Sequence, residues 1–257
     1  MLAGGKGSRM HSEQAKALLK IQDKTMLEHV VAAVRAAGIS KVCIVANAQL
    51  LPSLAQLDIG AVSVCLQHNQ LGTGHALASA FPALRAAKPQ LGDKELVRSA
   101  SGATKEIVCE QLLICLADTP ALQPSSLLQF IAASRAQDTP FHVIAIRVPD
   151  PSGYGRIIAA EDGRLLRIVE EREADASTRN INLCNSGIML LDTSVTASLL
   201  DQLHNNTRND EYYLTDLLAL APTSIHIVDD TAQFMGVNNL QQLAAIQRQF
   251  SEQQLNN

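Results

Sequence analysis

Apolar positions fall in short blocks that alternate between helical and strand spacing. Leu27, Val30, Val31 and Val34 recur at the helical period, and Gly38 follows where such a helix would stop. Lys41 to Ala46 is an apolar run of strand length, and Ala61 to Gln67 reads as another. His75 to Ala87 has a helical pattern despite Pro82. Gln111 to Leu116 is an apolar strand that runs into Ala117-Asp118-Thr119-Pro120, with Thr119 and Pro120 suited to cap and open a helix. Phe141 to Arg147 is a further strand. Arg156 to Ala160 and Leu165 to Val169 flank Glu161-Asp162-Gly163-Arg164, which reads as a hairpin turning at Asp-Gly. Ile188 to Leu191 and Ile225 to Val228 are strands. Ser194 to Leu203, Tyr212 to Leu220 and Leu240 to Gln253 are helical.

The first half is thus built of βαβ units with a mostly parallel sheet, and the second half adds antiparallel strands. The polar, turn-rich stretch Leu91 to Lys105 reads as a mobile loop inserted before the Gln111 strand. There is no internal repeat. At 257 residues the chain is expected to form one α/β domain over residues 1–257, large enough for a sizeable core.

Charge and composition remove several classes of function. The net charge of −4 and the 3% aromatic share without Trp give no footprint for nucleic acid. No apolar run reaches the roughly 18 residues that span a bilayer, so no membrane partner is expected. The N-terminus lacks a signal-peptide pattern, which makes the cytoplasm the expected location. Cys43, Cys65, Cys109, Cys115 and Cys184 are odd in number and irregular in spacing, as buried thiols in a reducing compartment would be.

The candidate chemistry begins at the N-terminus with Leu2-Ala3-Gly4-Gly5-Lys6-Gly7-Ser8-Arg9-Met10, followed by Lys16. Glycines at 4, 5 and 7 allow backbone amides to approach an anion, and Arg9 and Lys16 add positive charge for phosphates. No Gly-Lys-Ser/Thr closes the loop and no G-x-G-x-x-G is present, so it is neither a Walker A loop nor a dinucleotide fingerprint. Taken alone, it could also be a turn joining strand to helix.

This stretch resembles the L-x-x-G-x-G-[ST]-R-M-x(n)-K signature of the sugar-1-phosphate nucleotidyltransferases. More narrowly, the chain resembles the N-terminal uridylyltransferase domain of the bifunctional uridyltransferase/acetyltransferase family that makes UDP-N-acetylglucosamine. The resemblance continues through Gln67-His68-Asn69-Gln70-Leu71-Gly72-Thr73-Gly74-His75-Ala76, Gly153-Tyr154-Gly155-Arg156, Ile168-Val169-Glu170 and Asn185-Ser186-Gly187. It ends with Glu211 to Asp216 and Gly236-Val237-Asn238-Asn239. These blocks keep the family's order over nearly the whole chain.

The resemblance implies a glycosyltransferase-A-like, Rossmann-like nucleotidyltransferase fold. It implies transfer of UMP from UTP to N-acetylglucosamine 1-phosphate with release of pyrophosphate. Leu2, Ala3, Gly4, Gly5, Gly7, Gln67, Gly72 and Thr73 would bind the nucleotide, with Gln67 on the uracil edge. Arg9 and Lys16 would be catalytic. Asp118 and Asn238 would hold Mg²⁺, and Gly155, Glu170 and Asn185 the sugar. His75 would be structural, because an anionic phosphate nucleophile needs no histidine base. Same-chemistry transfer to another sugar 1-phosphate, and a nucleotide-sugar-binding module of low activity, are the rival readings.

The chain departs from the family pattern in several places, the Leu91 to Lys105 insertion among them. Only Met1 precedes Leu2, so the first strand is expected to leave ladder groups unpaired and to anchor the Gly loop poorly. Ala15 stands where the family has Pro before the lysine, and Leu116-Ala117-Asp118 replaces Tyr-Gly-Asp. Gly4 replaces an alanine. No hexapeptide β-helix pattern is present, so acetyl transfer is not expected of this chain, and a separate acetyltransferase partner or a homo-oligomer is compatible with it.

Overall fold

A computed structural model describes residues 1–5, 15–84, 98–99, 109–206 and 210–255. A short hairpin of β1 (Lys20–Ile21) and β2 (Lys24–Thr25) leads into α1 (Met26–Ala36). Thr25 caps this helix with its side chain and Glu28 returns the bond, a reciprocal capping box that satisfies two helix-end donors. Gly38 follows at φ +81°, in the left-handed region where the helix was expected to stop.

β3 (Cys43–Ala46) and β4 (Ser63–Leu66) pair in parallel, and β5 (Arg98–Ser99) adds antiparallel to β4. α2 (Thr73–Leu84) continues through Pro82. The rest of the expected Leu91–Lys105 loop lies outside the described residues. β6 (Gln111–Ile114) is followed by α3 (Pro124–Arg135) and β7 (Phe141–Arg147), which matches its predicted bounds. β8 (Arg156–Ala159) and β9 (Leu165–Val169) form the expected hairpin, with Gly163 at φ +83° in the turn. After the short α4 (Ala176–Arg179) comes β10 (Leu183–Asp192), then α5 (Thr193–Leu199), α6 (Leu214–Leu218), β11 (Thr223–Val228) and α7 (Leu240–Leu255).

β10 is the hub of the second half. It pairs antiparallel with β6, β7 and β8, and β11 closes parallel to β7. Leu2 joins the two halves by bridging Val45 and Leu116, both in parallel. Its amide donates to Cys115 and its carbonyl accepts from Ala117, while Ala3 donates to Val45 and Val45 to Met1. The entrance to the Gly loop is therefore held on both sides, contrary to the expected poor anchoring.

The result is a mixed sheet with helices on both faces. Alternation along each strand sends Ile44, Ala46, Ile144 and Ile146 to the side of α1 and α3, and Val45, Val143, Ala145 and Met189 to the side of α2 and α6. The buried cysteines, Cys43, Cys65, Cys115 and Cys184, carry free thiols, and Cys109 is half-buried.

Three local expectations are corrected. Thr119 does not cap a helix: its hydroxyl donates back to Leu116 within a turn, and α3 starts only at Pro124, the proline that can occupy a first helical turn. The Tyr212–Leu220 helix shrinks to Leu214–Leu218 because Tyr212 is bound to the backbone of Leu71. Ile188–Leu191 belongs to a longer strand, β10, whose Asn185-Ser186-Gly187 interruption conceals the strand pattern.

Candidate active site

Three remote segments meet where β6 ends. Lys16 opens a single 3₁₀ turn (Lys16–Leu18), Asp118 follows the end of β6, and Asn238 precedes α7. The Lys16 ammonium forms an ion pair with Asp118 Oδ2 and donates to Asn238 Oδ1 at 2.9 Å. Val237 donates its amide to the Asp118 carbonyl at 2.8 Å, so the two loops are stitched by backbone. Gln242 on the first turn of α7 accepts from the Asn238 amide at 2.6 Å. Gly236 lies in the same cluster, where a Cβ would stand 3.5 Å from Asn238 Nδ2 and 3.6 Å from Asp118 Oδ1.

Asp118 Oδ1 is buried and has no hydrogen-bond partner. A buried carboxylate oxygen without a donor is costly unless a cation or donor meets it. Among the described residues no group of three His, Cys, Asp or Glu side chains is placed to hold a metal. A carboxylate and an amide oxygen do suit Mg²⁺, which takes few protein ligands and fills its shell with water and phosphate.

Next to this cluster lies the Gly loop. Gln67, only 3% exposed, extends β4 and stands over Gly4, where a Cβ would come within 2.7 Å of its Oε1. The Nε2 end of Gln67 reaches the Gly72 carbonyl at 3.0 Å and His75 Nδ1 at 3.1 Å. This orients the amide with its acceptor toward Gly4. His75 thus holds the Gln67 amide in place, and burial lowers its pKa. Gly72 is at φ +98° with the Tyr212 backbone where a Cβ would be, which explains glycine there. The Thr73 hydroxyl accepts from the Leu214 amide at 3.0 Å, so it serves the junction of α2 with α6. Gly7 and Arg9 lie outside the described residues. Lys16 reaches the site although Ala15 replaces proline, because Ala15 adopts φ −56° and ψ 132°, a backbone that proline also takes.

Gly155, Glu170 and Asn185 also converge. The Asn185 amide donates to the Gly155 carbonyl at 2.9 Å. A Cβ on Gly155 would be 2.8 Å from Ile168 Cγ2 and 3.5 Å from both Glu170 carboxylate oxygens. Burial pushes the Glu170 carboxyl above its usual range, opposed by the Thr215 hydroxyl, which donates to it at 2.7 Å. Asn185 sits where β10 shifts register against β7, and its Oδ1 accepts from the Gly187 amide. Asn185 thus lies at a local irregularity of the β10–β7 ladder.

Sequence reasoning missed several supporting side chains. Asn47, 1% exposed, donates to the Gly4 carbonyl at 3.2 Å and accepts from the Leu50 amide at 2.8 Å, so it pins the Gly loop to the end of β3. An amide directly after an apolar strand is the available signal. Thr215 and Gln242 give none, because their partners are distant in sequence. Burial raises the pKa of the Tyr154 hydroxyl, opposed by the Gly236 backbone.

A Gly loop, an oxygen-rich cluster at the strand ends and a mixed sheet flanked by helices define a nucleotide-handling α/β enzyme. The chain belongs to the MobA-like NTP transferase domain family, matched over residues 1–182, and is a nucleotidyltransferase. It is similar to the bifunctional protein GlmU of Idiomarina loihiensis, 33% identical over 262 residues, covering 99% of this chain and 52% of that protein. GlmU of Pelobacter propionicus is 34% identical over 254 residues, covering 96% and 51%. The chain spans about half the length of the curated relatives it matches. A solved structure from Bacillus anthracis, described as a glucose-1-phosphate thymidylyltransferase, shares the fold with a TM-score of 0.68 at 16% identity, covering 96% of this chain and 92% of that one. Among the described residues no helix is long and apolar enough to cross a membrane.

Proposed function

We propose that the protein transfers UMP from UTP to N-acetylglucosamine 1-phosphate, giving UDP-N-acetylglucosamine and pyrophosphate, with Mg²⁺ as cofactor. The observation that carries this reading is the meeting of Lys16, Asp118 and Asn238 from three remote segments. The convergence of Gly155, Glu170 and Asn185 beside them supports an amide-bearing sugar. Likeness to the GlmU proteins supports the same choice.

In this reaction an oxygen of the sugar 1-phosphate forms a bond to the α-phosphorus of UTP, and the α–β phosphoanhydride breaks. The nucleophile is already anionic near pH 7, so the protein's task is alignment and charge neutralisation. Lys16 would neutralise the triphosphate, with Arg9 and the Gly4 and Gly5 amides along the loop. Gln67 would accept from the uracil N–H through Oε1. Asp118 and Asn238 would hold Mg²⁺, whose chemistry when bound is to draw charge from phosphate oxygens.

A second reading keeps the chemistry and changes the sugar. It is favoured by Leu116, whose side chain fills the space beside Gly187, where a Cβ would collide with Leu116 Cδ1. The deciding assay is pyrophosphate release from UTP with a panel of sugar 1-phosphates, with and without Mg²⁺, and Asp118→Ala as blank. Release with N-acetylglucosamine 1-phosphate that needs Mg²⁺ and vanishes in the variant is expected. Release with a different sugar alone would select the second reading. Nucleotide-sugar binding without release would leave a binding module.

A further inference from the structure

The turn Gly153-Tyr154-Gly155-Arg156 brings Gly155 to the site, and a buried ion pair secures the turn from behind. Arg156 opens β8, level with Cys184 of β10 on one side and Val169 of β9 on the other. It is only 1% exposed. Its Nη1 donates to the Tyr154 carbonyl and forms an ion pair with Glu171 Oε2. The same carboxylate oxygen accepts from the Gly153 amide at 3.0 Å, with Gly153 at φ +88°. The other oxygen of Glu171 lies 3.9 Å from Arg179 Nε on α4. One oxygen of Glu171 thus ties both ends of the turn, and Gly155 lies between the tied ends.

Glu170 and Glu171 follow directly after β9 and have different partners. Glu170 accepts from Thr215, and both its oxygens would stand 3.5 Å from a Cβ on Gly155. Glu171 serves Gly153 and Arg156 instead. Burial opposes its charge, yet the Gly153 amide and the guanidiniums of Arg156 and Arg179 hold its carboxyl below the usual range. Taking a guanidinium out of water costs about as much as such a pair returns, so the pair adds little net stability. What it fixes is geometry, because charge-assisted bonds to one oxygen leave the turn little freedom.

We infer that Arg156 and Glu171 are positioning residues, which set the 153–156 turn so that Gly155 stands against Glu170 at the spacing the sugar 1-phosphate needs. The inference rests on the reaction proposed above. The influence of the pair passes through the Gly153 amide and the Tyr154 carbonyl to Gly155, whose own carbonyl accepts from the Asn185 amide at 2.9 Å.

The test is steady-state pyrophosphate release, with UTP and the sugar 1-phosphate varied separately. It compares wild type with Glu171→Gln, Glu171→Met and the double variant Arg156→Met/Glu171→Met. Gln keeps an acceptor oxygen, so its KM for the sugar 1-phosphate should stay within about threefold of wild type. Met removes the acceptor. The single and double Met variants should raise that KM by about tenfold or more. Their kcat should change less than about threefold, and KM for UTP less than about twofold. The double variant leaves no unpaired buried charge, so its Tm should match wild type. A raised KM at unchanged Tm is what a merely structural pair would not give. A sugar KM within about twofold of wild type in the double variant would overturn the positioning role and leave the reaction standing. Wild-type protein that releases no pyrophosphate with any sugar 1-phosphate would overturn the reaction, and this role with it.

Discussion

Lys16 Nζ stands 2.9 Å from Asn238 Oδ1 although 222 positions separate them. Asp118 completes the contact, and the lysine thereby neutralises the Asp118 carboxylate while donating to the Asn238 amide oxygen, the two groups proposed as metal ligands. Lys16→Gln keeps a donor but removes the charge. Turnover should fall by about 10²–10³-fold, with the far-UV circular dichroism unchanged. Retention of full turnover would exclude Lys16 from the reaction.

Gly155 packs against Ile168 and Glu170 with no room for a methyl group. Gly155→Ala should raise KM for the sugar 1-phosphate by about 10–100-fold. KM for UTP should stay within about twofold, since Gly155 packs against Ile168 and Glu170 rather than against Gln67 or Gly4. Parallel increases in both constants would point to a general loss of fold instead.

His142 and His226 form a pair between β7 and β11, with Nδ1 of one 3.3 Å from Nε2 of the other. Burial, and then the neighbouring ring, pull the His142 pKa down to about 4. Burial also lowers that of His226. The folded state thus binds fewer protons than the unfolded one below about pH 6.5. Stability should be complete above that pH and fall as the pH drops toward 4, by about 3 kcal/mol at most for His142. Denaturant unfolding across this range should show the slope, and His142→Leu should flatten it.

Ala15 already holds φ −56° before Lys16. Ala15→Pro should therefore stabilise the chain by about 0.4–1 kcal/mol through the unfolded state. That corresponds to a rise in Tm of roughly 1–3 °C, without loss of turnover. A fall in Tm would show that the Ala15 amide is needed.

Much of this protein was legible in its sequence because local physics repeats. The apolar periods of α1, β3, β7 and the β8–β9 hairpin are set by which faces must be buried, and a strand buried on both sides has to read as an apolar run. The glycines at 38, 72 and 163 mark backbone that other residues take only under strain. The ordered motif blocks named Lys16, Gln67, Asp118, Gly155, Glu170, Asn185 and Asn238 before any geometry was known.

Tertiary structure decided what no local pattern encodes. Thr119 has the chemistry of a helix cap, but its hydroxyl turns back to Leu116, and the cap position goes elsewhere. Thr215 and Asn47 matter because folding brings Glu170 and Gly4 within their reach. Leu2 holds the sheet together from a single bridge on each side, which its neighbours in sequence do not announce. The physical reason is the same in each case. Spacing along a chain fixes which residues share a face, whereas partners from distant segments are chosen only when the sheet closes and every buried polar group must find a donor or an acceptor.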